Sequence, residues 1–325
     1  MTYVQLVIGC ILLLGGAEIM VRGAVQIATR LGLSSLLIGM TVVAFGTSAP
    51  ELVVSLNAAI AGTPGIAVGN VVGSNIANIL LILGATCLIA PVMVDPKAVM
   101  RDGIMLLAAS IFFVWISLLG NIGSVVGSLM VVSLVAYFIR SYFLEKNDGM
   151  PSAKLHERET EEFKDIKINI WLAWGFFIVG LGGVVYGADL LVESGSEIAR
   201  NLGVSEEVIG LTVIAIGTSL PELAASVVAA IRGHTDVAVG NVVGSNLFNL
   251  LLVGGGVAAV HPLDIPEQIQ RFDMWIMLAA TLMLFAYLVL GRRFRRREGA
   301  LLVGTYGGYV AFQVYGVSSL YQWIP

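Results

Sequence analysis

Long, continuous apolar segments separated by short polar ones run from one end of the chain to the other. A helix needs about 20 apolar residues to cross the hydrocarbon layer of a bilayer. A membrane β-barrel would instead alternate apolar and polar residues over segments of about 10 residues. The pattern therefore predicts ten membrane-spanning helices, at residues 4–28, 37–61, 67–90, 103–119, 122–143, 169–196, 208–231, 238–260, 273–291 and 299–322.

The composition supports an integral membrane protein. The 325 residues are 57% hydrophobic and 12% charged, with a mean hydropathy of +0.90. A soluble core of this size cannot bury so many apolar side chains. We therefore expect an all-α integral membrane protein in the lipid bilayer. We also expect it to be a monomer without a nucleic-acid partner.

The distribution of basic residues indicates the orientation in the membrane, because lysine and arginine concentrate in cytoplasmic loops. With the N-terminus outside, fifteen of the eighteen lysines and arginines fall in inner loops. We therefore expect a multi-pass protein of the inner (plasma) membrane whose two termini are both extracytoplasmic.

The chain contains a long internal repeat at a constant offset of 171 residues. Residues 39–56, GMTVVAFGTSAPELVVSL, align with 210–227, GLTVIAIGTSLPELAASV, and residues 67–84 align with 238–255. Five spans per half is an odd number, so the second half must enter the membrane from the opposite side, an arrangement typical of secondary transporters. We predict two inverted five-helix repeats, 1–143 and 169–325, joined by a charged cytoplasmic linker at 144–168.

Both halves carry the motif Gly-Thr-Ser-x-Pro-Glu in a predicted span, at 46–51 and 217–222. Proline removes a backbone donor and glycine loosens the turn, so we expect each helix to break there. Broken helices occur at membrane depth where their carbonyls meet a cavity or a ligand. The carbonyls freed by these breaks are expected around Ala44, Gly46, Thr47, Ala215, Gly217 and Thr218.

One face of the second span is rich in oxygen atoms. At 100° per residue, Thr47, Ser48, Glu51 and Ser55 fall on one side of the helix. A carboxylate near the bilayer centre costs at least ~2.5 kcal/mol. A symmetric pair of such groups, Glu51 and Glu222, is therefore difficult to attribute to packing and indicates a functional site.

The phrase GNVVGSN occurs at 69–75 and again at 240–246. With the residues that follow it, it predicts a polar stripe of Asn70, Ser74 and Asn78 on the third span and of Asn241, Ser245 and Asn249 on the eighth. Asn75 and Asn246 are predicted to lie at the edge of that stripe. Its glycines have the small-xxx-small spacing of closely packed membrane helices, so we expect them to bring the third and eighth spans together.

This set of side chains favours a hard cation. Carboxylates, hydroxyls, amide oxygens and carbonyls bind calcium, sodium or magnesium, and the three histidines fall in loops or at span ends. No Walker-type nucleotide motif is present, so the sequence offers no support for ATP hydrolysis. If the empty pair of carboxylates is too costly to carry through an occluded state, the protein can change state only with an ion bound. This predicts exchange of one ion for another. The ions are transported substrates, and we expect no resident cofactor.

These motifs resemble those of the calcium/cation antiporter superfamily, which includes the sodium/calcium exchangers. GTSAPE, GTSLPE and the two copies of GNVVGSN match its two alpha repeats, and the five-plus-five pattern extends the similarity over essentially the whole chain. The chain looks most similar to the short prokaryotic members. The resemblance implies that the second, third, seventh and eighth spans surround the ions, with the first and sixth sliding outside them.

The resemblance also implies roles for particular residues. Calcium would be bound by Glu51 and Glu222, with the backbone oxygens of Thr47 and Thr218. Sodium would be bound at positions Ala44, Ser48, Ser74, Ala215, Ser219 and Ser245, with Asn78 and Asn249 facing the centre. Some members have aspartate at the position of Asn249, so the ion stoichiometry and any potassium dependence stay open.

The leading hypothesis is sodium-driven calcium exchange by alternating access. Proton-driven antiport of calcium or sodium is an open alternative, because burial favours the protonated form of a glutamate. A passive cation channel is a third possibility, against which the symmetric broken helices argue. We do not expect an enzyme, because no nucleophile–base pair is visible.

Overall fold

The computed structural model describes residues 2–92, 96–148, 169–202, 215–290 and 294–313. Within these ranges the chain is helical apart from turns and two strands of two residues each. The helices are α1 Thr2–Leu31, α2 Ser35–Thr47, α3 Ala49–Ile60, α4 Pro64–Ile89, α5 Pro96–Ser117, α6 Ser124–Asp148, α7 Ile170–Asn201, α8 Ala215–Gly217, α9 Leu220–Ile231, α10 Thr235–Val260, α11 Ile269–Val289 and α12 Arg296–Ala311. The strands are β1 Asn121–Ile122 and β2 Leu263–Asp264.

The described helices confirm an all-α membrane fold. Seven of them are long and apolar enough to cross a bilayer, or eight if α2 and α3 form one bent span. As described, α9 has 12 residues and α12 has 16. The count of ten spans and the inverted repeat therefore stay predictions. Residues 149–168 of the predicted linker, the start of the seventh span and the end of the tenth lie outside the described residues.

The described helix boundaries follow local sequence signals. Gly62 and Gly233, which are equivalent in the repeat, have φ of +79° and +81°, and glycine adopts these values without steric cost. These turns let α4 begin at Pro64 and α10 at Thr235, three residues before the predicted starts. Ser34 caps α2 by accepting a hydrogen bond of 3.0 Å from the Leu37 N–H, as an N-cap serine commonly does.

Burial separates central from peripheral helices. The most apolar windows of α4 and α10 are 72% and 83% buried, whereas those of α1 and α7 are 33% and 28% buried. The repeated phrase therefore lies in the two central helices. Lipid can cover the apolar outer faces of α1 and α7, which include Ile11 and Trp171.

Helices α1 and α7 are in backbone contact. A Cβ atom on Gly16 would lie 2.7 Å from Val184 N, and one on Gly180 would lie 2.4 Å from Met20 N. Such distances leave no room for any side chain. Glycine thus joins the two peripheral helices into one closely packed pair, as small residues do in membrane interfaces.

Several helices contain wider π-helical turns. They lie at Gly39–Val43 in α2, Asn78–Ile82 in α4, Phe248–Gly254 in α10 and Ile269–Asp273 in α11. Such turns are rare in proteins, and those that occur are often found at functional sites. Two of them begin at or next to the predicted site residues Asn78 and Asn249.

Candidate cation-binding site

The break predicted in the first half is present between α2 and α3, which are bent by 42° at Ser48. In the second half, Thr218 and Ser219 form a turn between α8 and α9. A proline occupies one of the first two positions of both α3 and α9, where its missing N–H removes no hydrogen bond from the helix that begins there. The motif therefore starts a new helix at each break.

The two glutamates lie in the first turns of these new helices. Glu51 in α3 and Glu222 in α9 are each 1% exposed. A helix N-terminus favours negative charge because its first N–H groups are unpaired and its dipole is positive there. This position lowers the cost of burying two carboxylates.

A hydrogen bond joins the two halves at this point. The Ser48 hydroxyl donates to Glu222 Oε1 at 3.0 Å. Glu222 Oε2 and both carboxylate oxygens of Glu51 have no hydrogen-bond partner among the described residues. Three buried carboxylate oxygens are thus available to bind a cation.

Two asparagines support the glutamate-bearing helices in the same way. Asn70 Nδ2 donates to the Glu51 carbonyl at 3.3 Å and to Ser55 Oγ at 2.9 Å. Asn241 Nδ2 donates to the Glu222 carbonyl at 3.2 Å and to Ser226 Oγ at 2.9 Å. Each asparagine therefore ties the repeated phrase to the glutamate helix of its own half.

The predicted stripe residues are buried in the two central helices. Asn78 and Asn249 are each 1% exposed, and Ser74 and Ser245 are 5% and 0% exposed. Ser74 donates to Asn70 Oδ1 at 3.3 Å. Within the described ranges, the polar atoms of this stripe and of Ser219 that have no hydrogen-bond partner are Asn78 Oδ1, Asn249 Oδ1 and Nδ2, Ser245 Oγ and Ser219 Oγ.

The remaining predicted residues lie along the breaks. Thr47 is fully buried, and its hydroxyl lies 3.4 Å from both the Ala44 carbonyl and Asn241 Oδ1. Thr218 is half-buried in the turn before α9. The structure describes the backbone of Ala215, at the start of α8.

The expectation of a freed carbonyl at Ala44 is wrong as stated. The Ala44 carbonyl accepts the Ser48 N–H at 2.9 Å, because the helix continues for one turn before the bend. The Gly46 carbonyl does lose its helical donor, since Pro50, four residues later, has no N–H. A carbonyl has two lone pairs, so the Ala44 oxygen can still accept a second partner.

The predicted role of the phrase's glycines also needs correction. A Cβ on Gly240 would lie 2.4 Å from the Leu36 carbonyl oxygen, and one on Gly244 would lie 2.3 Å from the Met40 carbonyl oxygen. These glycines therefore bring α10 against α2, not against α4. The reason is geometric: the glycines occupy a different side of α10 from the asparagine–serine stripe.

Sequence reasoning underestimated Asn246. Its predicted place was the edge of the stripe, yet it is fully buried, and its Oδ1 accepts a hydrogen bond of 3.1 Å from Asn78 Nδ2. The bond crosses from α4 to α10. The repetition of the phrase was a signal for its importance, but helical spacing did not indicate which asparagine crosses between the halves.

The assembled groups fit a hard cation. The unpartnered atoms are mainly carboxylate, amide and hydroxyl oxygens, the ligand type of calcium and sodium. No cluster of three or more His, Cys, Asp or Glu occurs in the part of the chain that the structure describes. Two ionised glutamates balance one divalent ion, or two monovalent ions. The fold and the site thus define a helical membrane protein with a buried site for cations.

Comparison with known proteins defines the class further. The family model described as sodium/calcium exchanger protein matches residues 1–143 and 172–315. CaxA of Alkalimonas amylolytica is 37% identical over 305 residues, which cover 93% of this chain and 95% of CaxA. The sodium/calcium exchanger MaX1 of Methanosarcina acetivorans is 34% identical over 345 residues, with 96% of this chain and 97% of MaX1 covered.

A solved structure shows the same architecture. The sodium-calcium exchanger NCX_Mj superimposes with a TM-score of 0.82 and 30% sequence identity, over 95% of this chain and 98% of its own. The chain belongs to the sodium/calcium exchanger family. It is accordingly a member of a family of membrane-embedded cation antiporters, not of a family of catalytic enzymes.

Proposed function

We propose that this protein exchanges sodium for calcium by alternating access, with the ions bound between Glu51 and Glu222. The observation that carries the proposal is the pair of buried carboxylates, three of whose oxygens have no partner in the described structure. Burying an uncompensated carboxylate is costly. A bound cation removes that cost, so the loaded protein can change conformation more readily than the empty one.

The remaining ligands follow from the residues around the carboxylates. We assign calcium to Glu51 and Glu222 with the backbone oxygens of Thr47 and Thr218. We assign sodium to the flanking positions, which are Ala44, Ser48, Ser74, Ala215, Ser219 and Ser245, and we place Asn78 and Asn249 at the centre. The assignment is supported by the six residues of this set that are buried and carry oxygens without a partner in the described structure, which are Glu51, Glu222, Ser219, Ser245, Asn78 and Asn249.

Contacts between chain segments support a ten-span topology with inverted halves. Ser34, before α2, donates to Glu145 near the end of α6 at 2.8 Å. Asn121 donates to Asp264 at 2.7 Å, where β1 pairs with β2. The predicted topology puts Ser34 and Glu145 on the cytoplasmic side. It puts Asn121 and Asp264 on the extracytoplasmic side. Each contact therefore joins two segments that the topology places on the same side of the membrane. In this topology both termini are extracytoplasmic, and the membrane is the plasma membrane.

The central experiment is isotope flux in vesicles that contain the purified protein. An outward sodium gradient should drive accumulation of radioactive calcium, whereas potassium and pH gradients of equal size should not. Calcium uptake driven by a pH gradient without sodium would favour the proton-driven alternative. Uncoupled calcium current without a counter-ion would favour a channel.

Variants of the two glutamates test the site itself. Glu51→Gln and Glu222→Gln keep the size of the side chain and remove its charge, so each should reduce calcium exchange at least about 100-fold, given that a lost charged ligand is worth several kcal/mol. Glu267→Gln is the matched control because Glu267 is 67% exposed and pairs with Arg271. Near-normal exchange by both site variants would refute the assignment.

A further inference from the structure

Asn246 forms a contact between the two halves that its counterpart does not form with any residue that the structure describes. Its Oδ1 accepts a hydrogen bond of 3.1 Å from Asn78 Nδ2, and both residues are at most 1% exposed. The equivalent residue in the first half is Asn75, 171 positions earlier. Its Nδ2 donates to the Val71 carbonyl at 2.7 Å, one turn back on the same helix. The two copies of one phrase thus use the same side chain differently.

In this structure the contact leaves the oxygen end of the Asn78 amide free. An asparagine amide is planar, with a donor nitrogen at one end and an acceptor oxygen at the other. Asn246 occupies the nitrogen end, and Asn78 Oδ1 has no hydrogen-bond partner in the described part of the chain. A cation binds the oxygen and is repelled by the NH2 group. The orientation of this one amide therefore decides whether Asn78 can be a ligand.

We propose that Asn246 is a positioning residue that holds the Asn78 amide with its oxygen toward the bound cation. The proposal rests on the function proposed above, since it assumes that Asn78 faces the ion site. Asn246 itself needs no contact with the ion. A fixed amide orientation gives a preorganised ligand, because no rotation and no exchange of hydrogen bonds is needed when the ion enters.

Asn249 provides a contrast within the same site. Both of its amide atoms have no hydrogen-bond partner in the described structure, and it is 1% exposed. Its counterpart Asn78 is held, while Asn249 is not held by any described group. The two halves therefore offer the ion one oriented amide and one that is oriented only when a ligand binds.

The expected effect is on calcium affinity. A neutral hydrogen bond of this kind contributes roughly 0.5–1.5 kcal/mol, so Asn246→Ala should raise the calcium concentration for half-maximal binding about 2- to 12-fold. Asn75→Ala, the matched control, removes a bond within α4 and should change this concentration less than about twofold. The readout is equilibrium binding of radioactive calcium to the purified protein, with sodium-driven flux measured in parallel.

Measuring the effect of Asn246→Ala in the Asn78→Asp variant separates a positioning role of Asn246 from a packing role. In Asn78→Asp both terminal atoms are oxygens, so the orientation of the group no longer matters. Asn246→Ala should then have less than about a twofold effect in the Asn78→Asp background, which gives a coupling between the two positions. A loss caused only by poorer packing would be the same in both backgrounds and would overturn the proposal.

The remaining outcomes are also decisive. If Asn246→Ala does not fold, Asn246→Leu keeps the branched shape of the side chain, removes the acceptor and is read in the same way. Equal effects of the Asn246 and Asn75 variants would overturn the positioning role. Wild-type protein that binds calcium but shows no sodium-driven flux would refute the proposed function, while the binding comparison would still decide the role of Asn246.

Discussion

Ser48 Oγ and Glu222 Oε1 lie 3.0 Å apart, although 174 residues separate them in the chain. The hydroxyl sits at the bend between α2 and α3, so the break in the first half supplies a hydrogen bond to the carboxylate of the second. The equivalent hydroxyl, Ser219 Oγ, has no hydrogen-bond partner among the described groups. The two halves carry the same motif, but the hydrogen bonds of its two serines differ in this conformation.

This asymmetry predicts different effects for two equivalent serines. Ser48→Ala removes a hydrogen bond to a charged group, worth about 1.5–3 kcal/mol, and should weaken calcium binding about 10-fold or more. Ser219→Ala removes no such bond and should weaken calcium binding less. Calcium titrations of the two purified variants, with their thermal midpoints as the folding control, make the comparison. Equal losses would mean that the Ser48 bond does not contribute to the calcium-bound state.

The asparagines that support the glutamate helices should matter for stability as well as binding. Asn70→Asp replaces a donor by an acceptor opposite the Glu51 carbonyl and Ser55 Oγ, which now receive hydrogen bonds of 3.3 and 2.9 Å. Each of the two lost hydrogen bonds costs about 0.5–1.5 kcal/mol. We expect a lower thermal midpoint in detergent together with weaker calcium binding. Asn57→Asp, at an exposed position of α3, the helix that Asn70 supports, is the control and should change neither. If both variants behave alike, the support by Asn70 is not significant.

The membrane fold and the residues of the site were largely predictable from the sequence, because a bilayer demands long apolar helices and makes each buried polar group conspicuous. The ranges predicted for α4 and α10 agree with the described helices to within three residues. The repeat singled out Glu51 and Glu222 without any knowledge of the fold.

The contacts between the halves were not predictable in this way. Regular spacing of 100° per residue assumes an α-helix, but π-helical turns occupy Asn78–Ile82 and Phe248–Gly254. Spacing also cannot tell which partner a buried amide will choose, so Asn246 was placed at the edge of the stripe. Likewise the sequence showed that Gly240 lies on a contact face, but only the packing showed that the neighbour is α2.

The contact between α1 and α7 predicts a sharp difference between two glycines of one helix. A Cβ on Gly180 would lie 2.4 Å from Met20 N, whereas a Cβ on Gly182 would meet nothing within 4 Å among the described atoms. Gly180→Ala should therefore separate the two helices, cost about 1–3 kcal/mol through overpacking, and lower both the thermal midpoint and the exchange rate. Gly182→Ala should be neutral or slightly stabilising, because alanine is the better helix former. Similar results for both variants would contradict the close backbone contact.

An ion pair joins α1 to the end of α9, and the equivalent positions of the other half cannot form it. Two nitrogens of Arg232 bind the two carboxylate oxygens of Glu18, each at 2.7 Å, and Arg22 of the same helix as Glu18 binds Oε1 at 2.6 Å. The position equivalent to Arg232 in the first half is Ala61, which cannot form such a pair. If α1 slides past the central helices during exchange, the pair between Glu18 and Arg232 stabilises one of the two end states.

Arg232→Gln should therefore change the balance between the two states more than the overall stability. The side chain of Arg232 is 47% exposed, and such a pair contributes no more than about 1 kcal/mol, which corresponds to at most a fivefold shift of a two-state equilibrium. We expect the ratio of calcium affinities at the two membrane faces to shift by up to this factor in oriented vesicles, with a small change in the thermal midpoint. Arg22→Gln is the matched control, since it removes only the contact within α1 and keeps the one to α9. A shift as large for Arg22→Gln as for Arg232→Gln would show that the charge near Glu18 matters and the connection between the helices does not.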